Sequence, residues 1–213
     1  MKKKNYLHLF IRKKKIMNKV DLYIEDESDI YSEEYVKEDL SNLDIKNKTI
    51  SNTILERCNL TISDYKNTYF EKVTFSNCDL SNTKFLDCNF RDVVFDNCKL
   101  VGVNINNCHL TKVNIKNSQC KYINIVDTKT KELTIEESDL TECSFYNVEL
   151  NKSLFNETKL IKSEFISNNL YGINFSTCDI TGIKIEEKYL KGIKVNQFQA
   201  IELAILLGIE IVD

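Results

Sequence analysis

Apolar residues recur at every fifth position along most of this chain. From Ile30 to Val195, 33 of the 34 positions at this spacing are apolar, counting Cys120, and the exception is Thr130. This period fits neither regular structure. Five residues of an α-helix advance by about 500°, so successive apolar residues would point about 140° apart, and residues five apart in a flat strand lie on opposite faces. The chain is therefore predicted to turn a corner within every repeat.

A second register of small residues lies two positions before the first. Of the 27 positions from 53 to 183, 25 are Ser, Thr, Cys, Val or Ile, and the exceptions are Leu133 and Asn168. Neither register holds a charged residue, although 29% of the chain is charged, so both are predicted to face a dry interior. Each repeat then has two inward residues separated by one outward residue, followed by a corner of two outward residues. Repeated corners close the chain into coils that stack about 4.8 Å apart with parallel pairing.

The segment FSNCDLSNTKFLDCNFRDVVFDNCKL, residues 75–100, resembles the pentapeptide-repeat family, whose consensus is A(D/N)LXX with a central Leu or Phe. The resemblance implies an all-β fold, a right-handed quadrilateral parallel β-helix with four pentapeptides per coil. Residues twenty apart would then stack vertically, which predicts an aromatic core ladder. Its members are Phe70, Phe75, Phe85, Phe90, Phe95, Phe145, Phe155, Phe165 and Phe175.

The pattern divides the chain into four segments. Residues 1–25 are predicted to be a disordered extension, residues 26–50 an N-terminal cap with the first irregular repeats, and residues 51–195 a β-helix of about seven coils. Residues 1–19 contain eight Lys or Arg and no acidic residue. They are either a tail that contacts nucleic acid or a membrane surface, or an extension that precedes a true start at Met17.

The five-residue spacing ends at Val195. Residues 198–205 place apolar side chains at helical spacing and Gly208 is a helix stop signal, while residues 209–212 are predicted to form a short strand. Residues 196–213 thus form a C-terminal segment that caps the open end of the coil stack, as solenoids require. This segment has more apolar residues than a cap needs, so we expect it to mediate dimerisation. The dimerisation residues are predicted to be Gly192, Phe198, Ile201, Ala204, Ile205, Leu207, Gly208 and Ile209.

The ending GIKIEEKYLKGIKVNQFQAIELAILLGIEIVD, residues 182–213, resembles that of the quinolone-resistance (Qnr-like) branch of the family. The resemblance is carried by Gly192, Ile193, Asn196, Gln197, Gln199, Ala200, Leu207, Gly208 and Ile209, with Phe198 in place of Tyr. It implies a homodimer that binds a bacterial type II DNA topoisomerase (DNA gyrase or topoisomerase IV) as a DNA mimic. Many resistance members carry two loops that interrupt the repeat. Here the register runs in phase throughout, so any loop must be a multiple of five residues long, and protection against quinolones is left open. The alternative is a general protein-interaction or immunity scaffold.

The charge pattern suggests where a partner would bind. The net charge is −3, residues 21–44 hold ten acidic residues against Lys37, and residues 45–213 sum to only −2. Two opposite faces of the predicted coil, those of Tyr65 and Phe75, carry an excess of acidic residues. An ordinary solvated surface is sufficient to explain this excess. The more specific alternative is that the surface imitates the charge of a nucleic acid. The candidate partner-binding residues are Asp64, Asp87, Asp96, Glu136, Glu137 and Glu157.

The remaining chemistry argues against catalysis. Seven of the eight Cys occupy the small register and Cys120 the bulky one, so all are predicted to be reduced, buried and unable to converge on a metal ion. The two His, His8 and His109, form no pair, and outward carboxylates on a convex surface have no cleft in which to act. We therefore expect no enzyme activity, cofactor, metal ion or direct nucleic-acid binding. No apolar stretch reaches membrane-spanning length, and we expect a cytoplasmic location.

Overall fold

The computed structural model of the chain describes residues 29–210 and residue 212. The predicted N-terminal extension, residues 1–25, and the alternative start at Met17 lie outside the described residues. The described part contains twenty short β-strands, one 3₁₀-helix and one α-helix.

All strand pairs are parallel and join residues twenty apart, as Phe70 and Phe90 show. One coil therefore contains four five-residue sides, which confirms the predicted parallel β-solenoid. Pairing begins at Ile30, opposite Ile50, and continues to Ile185. The stack thus has about eight coils, because the strands before residue 51 already follow the same register.

The four sides stack into four faces, numbered here in chain order. Face 1 contains β1 (Ile30–Tyr31), β4 (Thr49–Ser51), β7 (Tyr69–Glu71), β14 (Lys129–Lys131) and β17 (Glu149–Asn151). Face 2 contains β2 (Glu34–Val36), β5 (Ile54–Glu56), β8 (Thr74–Ser76), β15 (Thr134–Glu136) and β18 (Leu154–Asn156). Two longer strands, β10 (Asn89–Asp96) and β12 (His109–Lys116), run across both faces.

Face 4 lies opposite face 2 and forms a separate sheet of eight strands. They are β3 (Asp44–Lys46), β6 (Asp64–Lys66), β9 (Lys84–Leu86), β11 (Asn104–Asn106), β13 (Asn124–Val126), β16 (Ser144–Tyr146), β19 (Glu164–Ile166) and β20 (Lys184–Ile185). Face 3, centred on Leu60 and Leu80, has only single parallel bridges between coils, from Asp39↔Asn59 to Lys159↔Asp179.

The interior is a continuous apolar column. All nine predicted ladder residues are buried, and the rings of Phe70 and Phe90 stack with centroids 4.8 Å apart and planes 9° apart. Phe145 and Phe165 stack at 4.6 Å and 2°. Each such side chain gains a few kcal/mol from burial, so the ladder is a main source of stability.

The small register fills space and also satisfies the backbone. Thr83 Oγ1 donates a hydrogen bond of 2.8 Å to the Leu60 carbonyl, and Cys78 Sγ lies 3.3 Å from the Leu55 carbonyl oxygen. Thr130, the exception in the bulky register, is buried and donates to the Glu149 carbonyl at 3.0 Å. Hydroxyl and thiol groups are tolerated inside because they are hydrogen-bonded there.

The corners use left-handed backbone. The second residue after each central position from Ser32 to Ser167 has φ near +50° to +60° where it is not glycine. Asn is frequent there because it tolerates this conformation, and stacked amides bond to one another, as Asn67 Nδ2 does to Asn47 Oδ1 at 2.7 Å. This explains how a chain with only five Gly and no Pro turns so often.

A capped helix closes the C-terminal end. A 3₁₀-helix (Glu187–Tyr189) is followed by α1 (Gln197–Leu206), which is capped by Asn196. The Asn196 side chain accepts hydrogen bonds from two backbone N–H groups of the helix, and the Gln199 side chain accepts one from the Asn196 backbone N–H. Leu203 is buried against the last coil. Gln199 Nε2 donates to the Phe175 carbonyl at 2.9 Å, so the helix start satisfies a group at the open end of the stack.

The predicted C-terminal strand is wrong. Ile209, Glu210 and Val212 adopt no strand, and Ile211 lies outside the described residues. The helix ends in a Schellman motif at Gly208 (φ +71°), and the Ile209 N–H donates to the Ala204 carbonyl. That N–H is therefore engaged by the helix end and not by a neighbouring strand.

Candidate interaction surface

Four of the six predicted partner-binding residues lie on face 2 or the corner that follows it. Strand pairing stacks Asp96, Lys116 and Glu136 in adjacent coils. Lys116 forms an ion pair with Asp96 at 3.2 Å. A hydrogen bond from Asn117 and the Lys116 ammonium lower the pKa of Asp96, so this carboxylate is ionised and partly neutralised.

Glu137 and Glu157 occupy the next corner, one coil apart, in left-handed backbone. Both are exposed, and neither forms an ion pair with a described residue. Together with Glu136 they place three carboxylates within two coils, and we call this group the acidic corner. It is the strongest local concentration of negative charge among the predicted residues.

The other two predicted residues lie on the opposite side of the rod. Asp64 is on β6 of face 4, where Lys84 lies 3.4 Å away. Asp87 follows β9 and accepts a hydrogen bond from Asn107 at 2.7 Å. The six residues therefore form two separate groups, and one flat partner surface cannot contact both.

The C-terminal segment exposes a second kind of surface. Phe198 is 69% exposed and Ile205 63% exposed, which is unusual for side chains of this size. The terminal apolar surface consists of Phe198, Ile201, Ile205, Leu206, Leu207 and Ile209, all exposed. Contiguous apolar patches of this kind mark association sites.

Three residues predicted to mediate dimerisation have other roles or positions. Gly192 has φ +85° and lies beneath the Tyr171 ring, where an added Cβ would come within 2.3 Å of that ring. Gly208 ends α1 in left-handed backbone, and Ala204 is only half-buried beside Leu203.

The thiols lie inside the coil stack. All eight Cys are free and buried, as the sequence predicts. Burial raises the pKa of Cys143 to about 12, so its thiol stays protonated and donates to the Cys120 carbonyl at 2.8 Å. Within the described residues, no group of three or more His, Cys, Asp or Glu is arranged to hold a metal ion. Nor does any described helix combine the length and apolarity needed to cross a bilayer.

A polar ladder on face 3 was not anticipated from the sequence. Asp79 Oδ1 accepts hydrogen bonds from the Ser81 backbone N–H at 2.9 Å and the Ser81 hydroxyl at 2.6 Å, and Asp139 does the same with Thr141. Although burial opposes ionisation, these bonds and a neighbouring Lys lower the pKa of both carboxyls. In the sequence this ladder is visible as a repeated triplet of Asp or Asn, an apolar residue, and Ser or Thr. The triplet is DLS at residues 39–41 and 79–81, NLT at 59–61, DLT at 139–141 and DIT at 179–181.

Two family models match this chain. A model of the pentapeptide repeat region matches residues 48–125, and a model of pentapeptide repeats in eight copies matches residues 138–182. Together they match more than half of the chain. A search of curated proteins found no match.

Solved structures similar to this chain include a resistance protein and two pentapeptide-repeat proteins. A trypsin-treated variant of QnrB1, a plasmid-mediated fluoroquinolone resistance protein, is 18% identical over 87% of this chain and 100% of its own, with a TM-score of 0.42. HetL is involved in heterocyst differentiation regulation in the cyanobacterium Nostoc sp. strain PCC 7120. It is 13% identical over 82% of this chain and 92% of its own, with a TM-score of 0.26. A protein of the Arabidopsis thaliana thylakoid lumen is 15% identical over 71% of each chain, with a TM-score of 0.20.

Proposed function

Because the chain belongs to the pentapeptide-repeat family, we propose that it is a non-catalytic cytoplasmic dimer that binds a type II DNA topoisomerase as a DNA mimic. One observation carries the choice of partner: residues 192–209 resemble the ending of the Qnr-like branch. Eight free, buried thiols suit the reducing cytoplasm.

The geometry of the rod supports the mode of binding. Stacked coils repeat outward side chains about every 4.8 Å, so the acidic corner presents Glu137 and Glu157 in a short row along the rod axis, with Glu136 beside Glu137. Duplex DNA carries a negative charge about every 1.7 Å along its axis. The row is sparser than a phosphate backbone, and we expect it to occupy a basic groove of the enzyme over only a few coils.

Dimerisation is supported by the terminal apolar surface. Burying side chains such as Phe198 and Ile205 against a second copy removes large apolar area from water, at about 25 cal/mol per Å². The same surface on both copies gives a closed two-fold interface. A dimer would double the rod and place an acidic corner on each side of the two-fold axis.

DNA gyrase supercoiling tests the proposal. Purified protein at micromolar excess should alter supercoiling or its inhibition by a fluoroquinolone. The triple variant Glu136→Lys, Glu137→Lys, Glu157→Lys should abolish the effect, because it reverses the charge of the acidic corner. The matched control reverses three acidic residues of face 1 and the corner that follows it, Glu71, Asp92 and Glu149, and should retain the effect. Equal behaviour of both variants, or no effect of the wild-type protein, would contradict the proposal.

A second candidate function is a scaffold that binds a different protein partner. It is favoured by the nearly neutral rod, since residues 45–213 sum to −2 and strong DNA mimics need a larger negative field. Gyrase and topoisomerase IV activities unaffected by the protein, together with an intact dimer in solution, would select this second function.

A further inference from the structure

The strand pairing of the rod is broken at one level, on two neighbouring faces. β17 and β18 each pair with the coil before them and with no strand of the coil after them. At the same level faces 3 and 4 stay paired, through the Lys159↔Asp179 bridge and through β19 with β20. We call the break the seam; it separates residues 148–157 from residues 168–177 on faces 1 and 2.

The seam leaves backbone donors without their usual acceptors. In the preceding coil, the Glu149 N–H donates to the Thr128 carbonyl at 3.0 Å. The equivalent N–H of Asn169, one coil later, has no hydrogen-bond partner among the described residues, and neither do those of Asn174 and Lys152. Backbone groups left out of the ladder in this way make water their partner.

Side chains bridge the seam in place of the backbone. Asn168 is fully buried, and its Nδ2 donates to the Val148 carbonyl at 3.1 Å, which is the acceptor that the Asn169 N–H would otherwise use. Its Oδ1 has no hydrogen-bond partner among the described residues. On face 2, Thr177 Oγ1 accepts from the Glu157 N–H at 3.2 Å. A long polar side chain in the small register therefore holds the two coils apart on this side.

The core stacking loosens at the same level. The rings of Phe155 and Phe175, which face each other across the seam, have centroids 5.6 Å apart and planes inclined by 39°. In the same column, Phe75 and Phe95 stack at 4.8 Å and 4°. The two coils thus diverge on faces 1 and 2 while they remain parallel on faces 3 and 4.

Beyond the seam, residues 169–209 form a cohesive terminal unit. The Gly172 N–H donates to the Gly192 carbonyl at 2.9 Å, and the Tyr171 ring covers Gly192. Asn196 Nδ2 donates to the Ser176 carbonyl at 3.0 Å, which ties α1 to the last full coil. On faces 1 and 2 the terminal unit is therefore bonded within itself, whereas its backbone is not bonded there to the coil before it.

We propose that the seam is a hinge about which the terminal unit tilts, with faces 3 and 4 as the pivot and the Asn168 side chain as the spacer that keeps the backbone ladder from closing. Few hydrogen bonds have to break for the tilt, and regions with sparse backbone bonding open at low cost. Because α1 belongs to the terminal unit, the hinge changes the direction of the terminal apolar surface relative to the rod. The inference does not depend on the proposed topoisomerase partner.

Amide hydrogen exchange of the full chain, resolved by residue, tests the open state. The N–H groups of Lys152, Asn169 and Asn174 should exchange at least about 100-fold faster than those of Glu149 and Leu154. Asn168→Val restores a typical small residue and frees the Val148 carbonyl, so exchange at Asn169 should slow at least about 10-fold. Thr128→Val, two coils earlier in the same column, is the control and should leave the seam unchanged. Equal exchange rates on both sides of the seam in the wild-type protein would overturn the hinge.

Distances between pairs of spin labels distinguish a hinge that moves from a gap of fixed width. Labels at Lys131→Cys and Lys191→Cys span the seam on face 1, and labels at Asn124→Cys and Lys184→Cys span the same three coils on face 4. The native thiols are buried and stay unlabelled. The face 1 distance distribution should be at least about twice as broad as the face 4 distribution, and Asn168→Val should narrow it. Two equally narrow distributions would show a rigid seam and refute the proposal.

Discussion

At the scale of single residues, the corners decide how well a sequence fits this fold. A positive φ costs a branched side chain about 1 kcal/mol or more, and about half of the corners have Asn, Asp or Gly instead. Ile62 is an exception, at φ +58° and 62% exposed. The sequence pattern places every corner correctly as a pair of outward residues. It does not reveal the left-handed backbone of the corners, because Lys and Glu, which do not favour that conformation, occupy many of them.

Ile62→Asn should therefore stabilise the protein by about 1 kcal/mol, because Asn tolerates this backbone and can bond to Asn82 in the next coil. Urea unfolding measures the change. Leu154→Asn is the control, an equally exposed apolar residue without a positive φ, and should shift stability by no more than about 0.5 kcal/mol. A loss of stability in Ile62→Asn would contradict the role assigned to the corner.

The thiols give a second prediction at this scale. Burial raises the pKa of Cys143 to about 12, and all eight Cys are buried and free. A disulfide reagent at pH 8 should thus modify almost no thiol in the folded protein and all eight in denaturant, because only an accessible thiolate reacts. Rapid labelling of several thiols without denaturant would show that the small register is not sealed.

At the scale of elements, the sequence predicted the strands and α1 well because both follow from periodicity. It could not distinguish paired strands from the single bridges of face 3, where Asp79 and its equivalents bond to the residue two positions on. Nor could it foresee that Ile209 would bond back into the helix end. Asn168 was visible only as a departure from the small register, while the open seam it accompanies depends on backbone distances between coils.

The terminal apolar surface leads to the prediction for this scale. Ile205→Glu places a charge within the exposed apolar patch and should halve the molar mass measured by light scattering after size exclusion. Glu202→Gln, on the same helix and also exposed, is the control and should keep the wild-type mass. A wild-type protein that remains a monomer at high concentration would contradict the proposed dimer.

At the scale of the whole molecule, the face 3 carboxylates link stability to pH. The folded-state pKa values of Asp79 and Asp139 are lowered from the ordinary 3.8. Their stabilising contribution is fully present above that value and is lost as the pH falls through the lowered folded pKa. The protein should therefore lose stability in acid below about pH 4.

Urea midpoints measured between about pH 6 and pH 2 test this link. Asp79→Asn should flatten the profile, since Asn59 shows that an amide accepts the same turn bonds without a charge. An unchanged slope in the Asp79→Asn protein would mean that other groups dominate the acid response.

The fold requires that two registers of a five-residue repeat be sealed inside a stack of four-sided coils. Phe145 is fully buried and its neighbour Tyr146 is 46% exposed, so a matched pair of substitutions tests the claim. The measurement is urea unfolding followed by circular dichroism for Phe145→Asp and Tyr146→Asp. We predict that Phe145→Asp abolishes cooperative folding, whereas Tyr146→Asp changes stability by less than about 1 kcal/mol. Equal stability of the two variants would contradict the coil stack.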